Sequence, residues 1–272
     1  MIALLGQTTR DEIIHVDGRQ EERCGGAPIF AARALACADV KGVVITRGGG
    51  DLAITALPAT GLPVVIGPAV DTFISRLTLR SGGHREHTIA ALGTPFSRQD
   101  LVGWAATALA EATTVAVGTQ WRGDVPPDVL HALVETGKRV VYDAQGLARP
   151  GLGPVQPSGP LDATWLDGVA AVKFSDDEAR ALLGGTDVAA LKRAGVPIVT
   201  VTYGEGGCDV WTTGDRVACH IPADRIPLLA DTVGAGDMFT ALLAAALANG
   251  DDPITATEYA TFGVARVLRL RC

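Results

Sequence analysis

Seven short runs of aliphatic and β-branched residues alternate with helix-length segments along this chain: Ile2–Gly6, Val43–Thr46, Val64–Ile66, Thr114–Val117, Arg139–Asp143, Val169–Lys173 and Ile198–Thr202. They are continuous runs, not polar–apolar alternations, the pattern of strands buried on both faces of a parallel sheet. Helices are predicted between and after them, at Ala27–Ala38, Arg98–Glu111, Pro127–Gly137, Asp176–Leu183, Val188–Ala194, Ala235–Asn249 and Pro253–Leu270. Strand–helix alternation of this kind predicts an α/β fold, a mostly parallel central sheet covered by helices on both faces. With 272 residues, 47% of them hydrophobic, the chain has material for one large core, and a single domain over residues 1–272 is expected.

Two stretches break the rhythm. Asp11–Asp17 (DEIIHVD) and Thr72–Ala91, the latter with a Ser81-Gly82-Gly83 turn, alternate in polarity as antiparallel strands with one bare face do. A bare face has a purpose if it covers a ligand, so residues of about 11–20 and 72–91 are expected to form a small β lid over a cleft. Ala148–Pro160 is too rich in Pro and Gly for helix or strand and is expected to be a loop.

The formal charge of −7 argues against a nucleic-acid or anionic-membrane binder. The most apolar stretch, Met238–Ala248, is far shorter than the ~20 residues that span a bilayer. Five cysteines without CxxC spacing suit reduced thiols, and the start of the chain lacks a basic n-region; both lead us to expect a cytoplasmic protein. His15, His131 and His220 are scattered without metal-ligand spacing.

The densest chemistry lies in Asp231-Thr232-Val233-Gly234-Ala235-Gly236-Asp237, directly before the Ala/Leu-rich helix. Its glycines permit a tight turn, and N–H groups opening a helix favour an anion such as phosphate. Asp237 beside such an anion hole is placed to accept a proton from an attacking hydroxyl, as phosphoryl transfer to an alcohol requires. The plainer alternative is an N-capping aspartate and an ordinary turn.

DTVGAGD resembles the C-terminal signature DTxGAGD of the ribokinase-like (PfkB) carbohydrate kinases. Gly25-Gly26-Ala27 resembles the family's sugar-side Gly-Gly motif, and Thr202-Tyr203-Gly204-Glu205-Gly206-Gly207 its nucleotide loop. Ser175-Asp176-Asp177-Glu178 resembles its NxxE motif, with Ser175 standing where the family has Asn. The resemblance implies a three-layer α/β/α fold with a β lid and a kinase using ATP and Mg²⁺. It implies Asp237 as base and Gly234, Ala235 and Gly236 as anion hole, with Thr202, Gly204, Gly207, Thr232, Gly234 and Gly236 on the nucleotide. Glu178 would serve the metal, and Asp11, Gly25 and Gly26 the acceptor.

A narrower likeness concerns Asp143-Ala144-Gln145-Gly146-Leu147-Ala148-Arg149, similar to a stretch of the myo-inositol 3-kinase branch. It implies Gln145 and Arg149 on the acceptor's hydroxyls, the alternative being that they brace their own loop. Gly48-Gly49-Gly50-Asp51 reads as a turn near the sugar site, and His84, Arg85 and His87 as an exposed hairpin face.

No GxGxxG opens a first βαβ unit, no GxxxxGK[ST] occurs, and no serine has a GxSxG context. The resemblance implies ATP-dependent phosphorylation of a small polyol or sugar, with myo-inositol first, by a monomer or homodimer. The rivals are the same chemistry on a nucleoside, fructose or aminocyclitol, a non-catalytic sensor, and an oxidoreductase of flavodoxin-like or Rossmann type.

Overall fold

A computed structural model describes residues 1–49, 61–80, 85–156, 159–226 and 232–270. Along the chain, β1 (Ile2–Gln7) leads to β2 (Thr9–Ile14) and β3 (Gln20–Gly25), then α1 (Ala27–Cys37), β4 (Gly42–Arg47) and β5 (Val64–Gly67). An antiparallel pair, β6 (Phe73–Leu79) and β7 (Arg85–Ala91), precedes α2 (Arg98–Val102), α3 (Ala106–Glu111), β8 (Thr114–Gly118), α4 (Pro127–Glu135) and β9 (Arg139–Asp143). There follow β10 (Gly153–Pro154), β11 (Ala171–Ser175), α5 (Asp176–Leu183), α6 (Val188–Leu191) and β12 (Ile198–Thr202). The chain continues through β13 (Cys208–Thr212), β14 (Cys219–Ile221), α7 (Ala235–Asn249) and α8 (Pro253–Arg269).

Nine strands form the main sheet in the order β14-β13-β12-β11-β9-β8-β1-β4-β5. The seven strands from β12 to β5 run parallel, and each of the expected runs supplies one of them. Successive residues of β1 face opposite cores: Ala3 and Leu5 meet α2 to α6, whereas Ile2 and Leu4 meet α1, α7 and α8. Three layers result. Helix α7 is buried from Met238 to Leu247 because it lies between the sheet and its neighbours α1 and α8. A helix covered on several sides needs no polar stripe, hence its nearly uniform apolar sequence.

The small sheet has the order β10-β7-β6-β2-β3. It is larger than expected, since Gln20–Gly25 joins as β3 and the loop segment Gly153–Pro154 as an edge strand beside β7. The lid is also not wholly antiparallel: β2 and β6 pair in parallel and join two antiparallel pairs. Thr8, between β1 and β2, fixes this sheet to the main one, its N–H donating to Thr46 Oγ1 at 2.9 Å and its hydroxyl to the Arg47 carbonyl at 2.9 Å.

Other expectations need correction. Arg98–Glu111 is two helices, because Gly103 ends α2 while Asp100 accepts from Ser97 N–H at 2.7 Å and from Trp104 Nε1 at 2.8 Å, turning the chain back on itself. Val188–Ala194 closes with a 3₁₀ turn before left-handed Gly195, and β11 begins two residues later than its apolar run. Strands β13 and β14 were not anticipated. The turn Ser81-Gly82-Gly83, His84 and the pair Gly50-Asp51 lie outside the described residues.

Candidate active site

Parallel α/β sheets bind ligands beyond the carboxyl ends of their strands. At that edge β9 and β11 place Asp143 and Lys173 side by side in register. Lys173 is 4% and Asp143 1% exposed, and Lys173 Nζ lies 3.2 Å from Asp143 Oδ1 and 3.9 Å from Glu178 Oε2. Burial favours loss of the Lys173 proton, but Asp143, Glu178 and Asp237 outweigh it and raise its pKa. Thr240, one turn into α7, donates to Asp143 Oδ2 at 3.1 Å and ties the helix to this pair.

Helix α7 begins over the pair. Gly234 is its N-cap at φ +79°, a left-handed conformation, and an added Cβ would lie 2.1 Å from the Phe30 ring, so backbone and space both require glycine. A Cβ on Gly236 would lie 2.7 Å from Lys173 Nζ. The Ala235 N–H is taken by the Thr232 carbonyl at 3.1 Å, whereas the N–H groups of Gly234, Gly236 and Asp237 have no partner among the described residues, which leaves two of the three expected donors free and adds Asp237.

Asp237 occupies the first turn of α7, and its buried Oδ1 has no hydrogen-bond partner among the described residues. Burial raises its pKa from 3.8 to about 7, reinforced by Asp143 and opposed by Lys173 and Arg149. A carboxylic acid that titrates near neutrality, beside unpaired amides, is suited to receive a proton.

On one side of Asp237 opens a cavity of about 710 Å³. Thr202, Gly204, Gly207, Thr232, Ala235 and Gly236 line it. Its walls also include Ile226, Phe239, Val264 and Leu268, so α8 closes it with an apolar surface. Gly207 (φ +94°) has no room for a Cβ, which would meet the Ile221 carbonyl at 2.2 Å.

The small sheet and the loop after β9 carry the remaining candidates. Asp11 accepts from Thr9 Oγ1 at 2.7 Å; burial raises its pKa, while that hydrogen bond and the charges of Arg23 and Arg149 oppose the rise. Gly25 leaves room for its carboxylate, since a Cβ there would lie 2.1 Å from Asp11 Oδ2, and Gly26 (φ +101°) lets the chain pass the Gln7 carbonyl into α1. Arg149 joins the two regions. Its side chain has no hydrogen-bond or ion-pair partner among the described residues, and its pKa is lowered by burial against the pull of Glu178, Asp237, Asp143 and Asp11. Gln145, by contrast, spends its amide nitrogen on the Thr119 carbonyl at 3.3 Å, which braces its loop.

Glu178 forms a capping box with Ser175: its Oε2 accepts from Ser175 N–H at 2.7 Å, and Ser175 Oγ accepts from Glu178 N–H at 3.3 Å. Among the described residues no group of three or more His, Cys, Asp or Glu is placed to hold a metal. Mg²⁺ coordinated chiefly by phosphates and water needs only one or two carboxylates, and the second oxygen of Glu178 meets that requirement.

Motif reading passed over Lys173, Asp143 and Thr240 as functional groups, although a single charge in an otherwise apolar run was a visible sign of Lys173. His87 is also corrected: it is half-buried and bonded to Ser75 Oγ at 2.8 Å, not on an exposed face.

The chain matches the model of the pfkB family carbohydrate kinases over residues 1–269. It is 29% identical over 261 residues to an inositol 3-kinase of Oryza sativa subsp. japonica, covering 89% of this chain and 61% of the rice protein, so it spans about three-fifths of that relative. A pyrophosphate-dependent kinase in the ribokinase family, solved with a pyrophosphate analog and myo-inositol, superposes with TM-score 0.82 at 22% identity, covering 99% of this chain and 95% of the other. Arabidopsis thaliana ribokinase, complexed with ribose and ATP, gives 0.74 at 18% identity over 97% and 91% of the two chains. These likenesses in structure carry the ribokinase-like fold, and the family match extends over nearly the whole sequence. The chain belongs to the pfkB family of carbohydrate kinases.

Proposed function

We propose that the protein transfers the terminal phosphate of ATP to a hydroxyl of a small polyol or sugar, with myo-inositol as the leading acceptor. The observation that carries this reading is Asp237. Its carboxyl is pushed up to about 7 by burial, its buried Oδ1 has no hydrogen-bond partner among the described residues, and the adjacent Gly236 lines a cavity large enough for a nucleotide. In this reading the chain works as one domain, with the small sheet as lid. The inositol 3-kinase relative and the Asp143–Arg149 stretch support inositol over other acceptors. The free thiols of Cys24, Cys37, Cys208 and Cys219 support a cytoplasmic setting.

Asp237 accepts the proton of the acceptor hydroxyl as its oxygen attacks phosphorus. The Gly236 and Asp237 N–H groups, at the positive end of α7, stabilise charge on the transferring group. Arg149 and Asp11 orient the acceptor through hydroxyl hydrogen bonds, and Lys173 balances the carboxylates that crowd the site. Mg²⁺, held at Glu178, would neutralise charge on the donor phosphates when bound.

A second reading takes pyrophosphate as donor, as in the solved structure with a pyrophosphate analog. The apolar wall of Ile226, Phe239, Val264 and Leu268 favours ATP, because a base and ribose fill such a surface and pyrophosphate does not. The test is donor consumption with MgATP and with Mg-pyrophosphate across inositols, hexoses, pentoses and nucleosides. Acceptor-dependent ADP release with myo-inositol is expected. Ligand-induced stabilisation without turnover on any acceptor would identify a sensor instead.

A further inference from the structure

The glycine turn between β12 and β13 lines the donor cavity, and three of the four residues after Tyr203 are glycines, so Gly204–Gly207 has little conformational bias of its own. Backbone bonds close it: Gly206 N–H to the Tyr203 carbonyl at 3.0 Å, Gly207 N–H to Gly204 at 3.2 Å and Tyr203 N–H to Gly207 at 2.8 Å. Gly207 also lies against the segment after β14, where a Cβ would meet Ala223 N at 2.8 Å and Pro222 Cα at 3.0 Å. That segment forms another wall of the cavity through Ala223 and Ile226.

Asp209 ties these two walls together. Register pairs it with Val201 of β12 and with His220 of β14, and direct partners leave a sheet on one face. Val201 belongs to the core beneath α2 to α6, whereas Cys208, one residue before Asp209, packs with α7 and α8 and lines the cavity. The Asp209 side chain is thus on the sheet face turned away from the donor. Its Oδ2 accepts from the Tyr203 hydroxyl at 2.9 Å and its Oδ1 from His220 Nδ1 at 2.7 Å. Burial raises the Tyr203 pKa; a hydrogen bond with Thr186 opposes the rise and Asp209 reinforces it, so the phenol keeps the proton it donates. One carboxylate therefore holds both the residue that enters the glycine turn and the strand that leads into the other wall.

We infer that Asp209 is a positioning residue for the donor: bound to Tyr203 through one oxygen and to His220 through the other, it fixes the glycine turn against the segment after β14 and so raises donor affinity without touching the donor. This rests on the nucleotide-dependent kinase reading above and deepens it. A turn that must be ordered at the moment of binding costs affinity, and one held in place beforehand does not. The acceptor should not sense the change, since its candidate residues belong to the small sheet and the loop after β9.

Isothermal titration calorimetry with MgADP, and kinetics with MgATP and myo-inositol, compare wild type with Asp209→Ala, Tyr203→Phe, His220→Ala and His220→Asn. The control is Asp215→Ala. Asp215, in the turn between β13 and β14, accepts from the Thr212 N–H at 2.8 Å and its hydroxyl at 2.6 Å, so its loss loosens the same hairpin at the end remote from the glycine turn. Asp209→Ala should weaken MgADP binding and raise the donor KM by about tenfold, with the acceptor KM within about twofold of wild type. Tyr203→Phe and His220→Ala, each removing one bond, should weaken MgADP binding by about threefold, and Tyr203→Phe carries the test if Asp209→Ala folds poorly. His220→Asn, whose amide can donate to Asp209 Oδ1, should restore most of what His220→Ala loses. Unchanged MgADP affinity in Asp209→Ala and Tyr203→Phe, or an equal loss in Asp215→Ala, overturns this inference alone. A wild type that binds no MgADP overturns the donor reading and this inference with it.

Discussion

Replacing Asp237 by asparagine should make the protein more stable above neutral pH while removing its activity. In the unfolded chain this carboxyl titrates near 3.8, and in the folded protein near 7. Between these values the folded state holds more protons than the unfolded one, so stability falls as pH rises through the window, and the loss is complete above it. At about 1.4 kcal/mol per unit, ionised Asp237 costs on the order of 4 kcal/mol at pH 8 as an upper figure. Asparagine is nearly isosteric and uncharged, and removes that cost. For a chain of this size roughly 2–4 °C accompanies each kcal/mol, so the variant should melt several degrees above wild type at pH 8 and close to it near pH 4. Turnover should drop by about 10²–10⁴-fold, the usual contribution of a general base. Thermal melts at both pH values, with donor-consumption assays on the same samples, test both halves. Near-normal turnover in the variant, or a melting difference that does not grow with pH, would refute the reasoning.

Lys173→Met leaves Asp143 buried without its cation. It should destabilise by about 3–5 kcal/mol in denaturant titrations and move the rising limb of the kcat–pH profile to higher pH, since Lys173 opposes the raised pKa of Asp237. Gly234→Ala must place a Cβ against the Phe30 ring at φ +79°, and should cost about 1–3 kcal/mol and lower kcat; Gly250→Ala, at φ +95° with open space around it, should cost only about 1 kcal/mol and leave kcat unchanged. Asp124 is fully buried and its carboxyl is pushed up to about 7 by burial, so Asp124→Asn should raise the melting temperature above pH 7 and have little effect near pH 4.

The parallel sheet was readable because strands buried on both faces leave continuous Val/Ile runs, and all seven runs became strands. The signature glycines were readable because they serve the backbone directly: Gly207 and Gly234 have positive φ and no space for a Cβ. The lid was harder. Its pairing partners lie far apart in sequence, so neither the parallel β2–β6 register nor the capture of Gly153–Pro154 is written in any local pattern. His87 looked like one member of an exposed charged hairpin because alternation alone cannot say which face of a strand looks inward. Lys173 and Asp143 escaped for a related reason. Asp143 ends β9 and Lys173 sits in the middle of β11, and only the adjacency of the two strands turns them into an ion pair beneath α7.

The most direct test of phosphoryl transfer through Asp237 is ³¹P NMR of MgATP incubated with myo-inositol and either wild type or Asp237→Asn. A phosphomonoester of the polyol growing in step with ADP in the wild-type sample, and absent from the variant, is the result expected. Free phosphate as the sole product, or equal phosphomonoester in both samples, would contradict it.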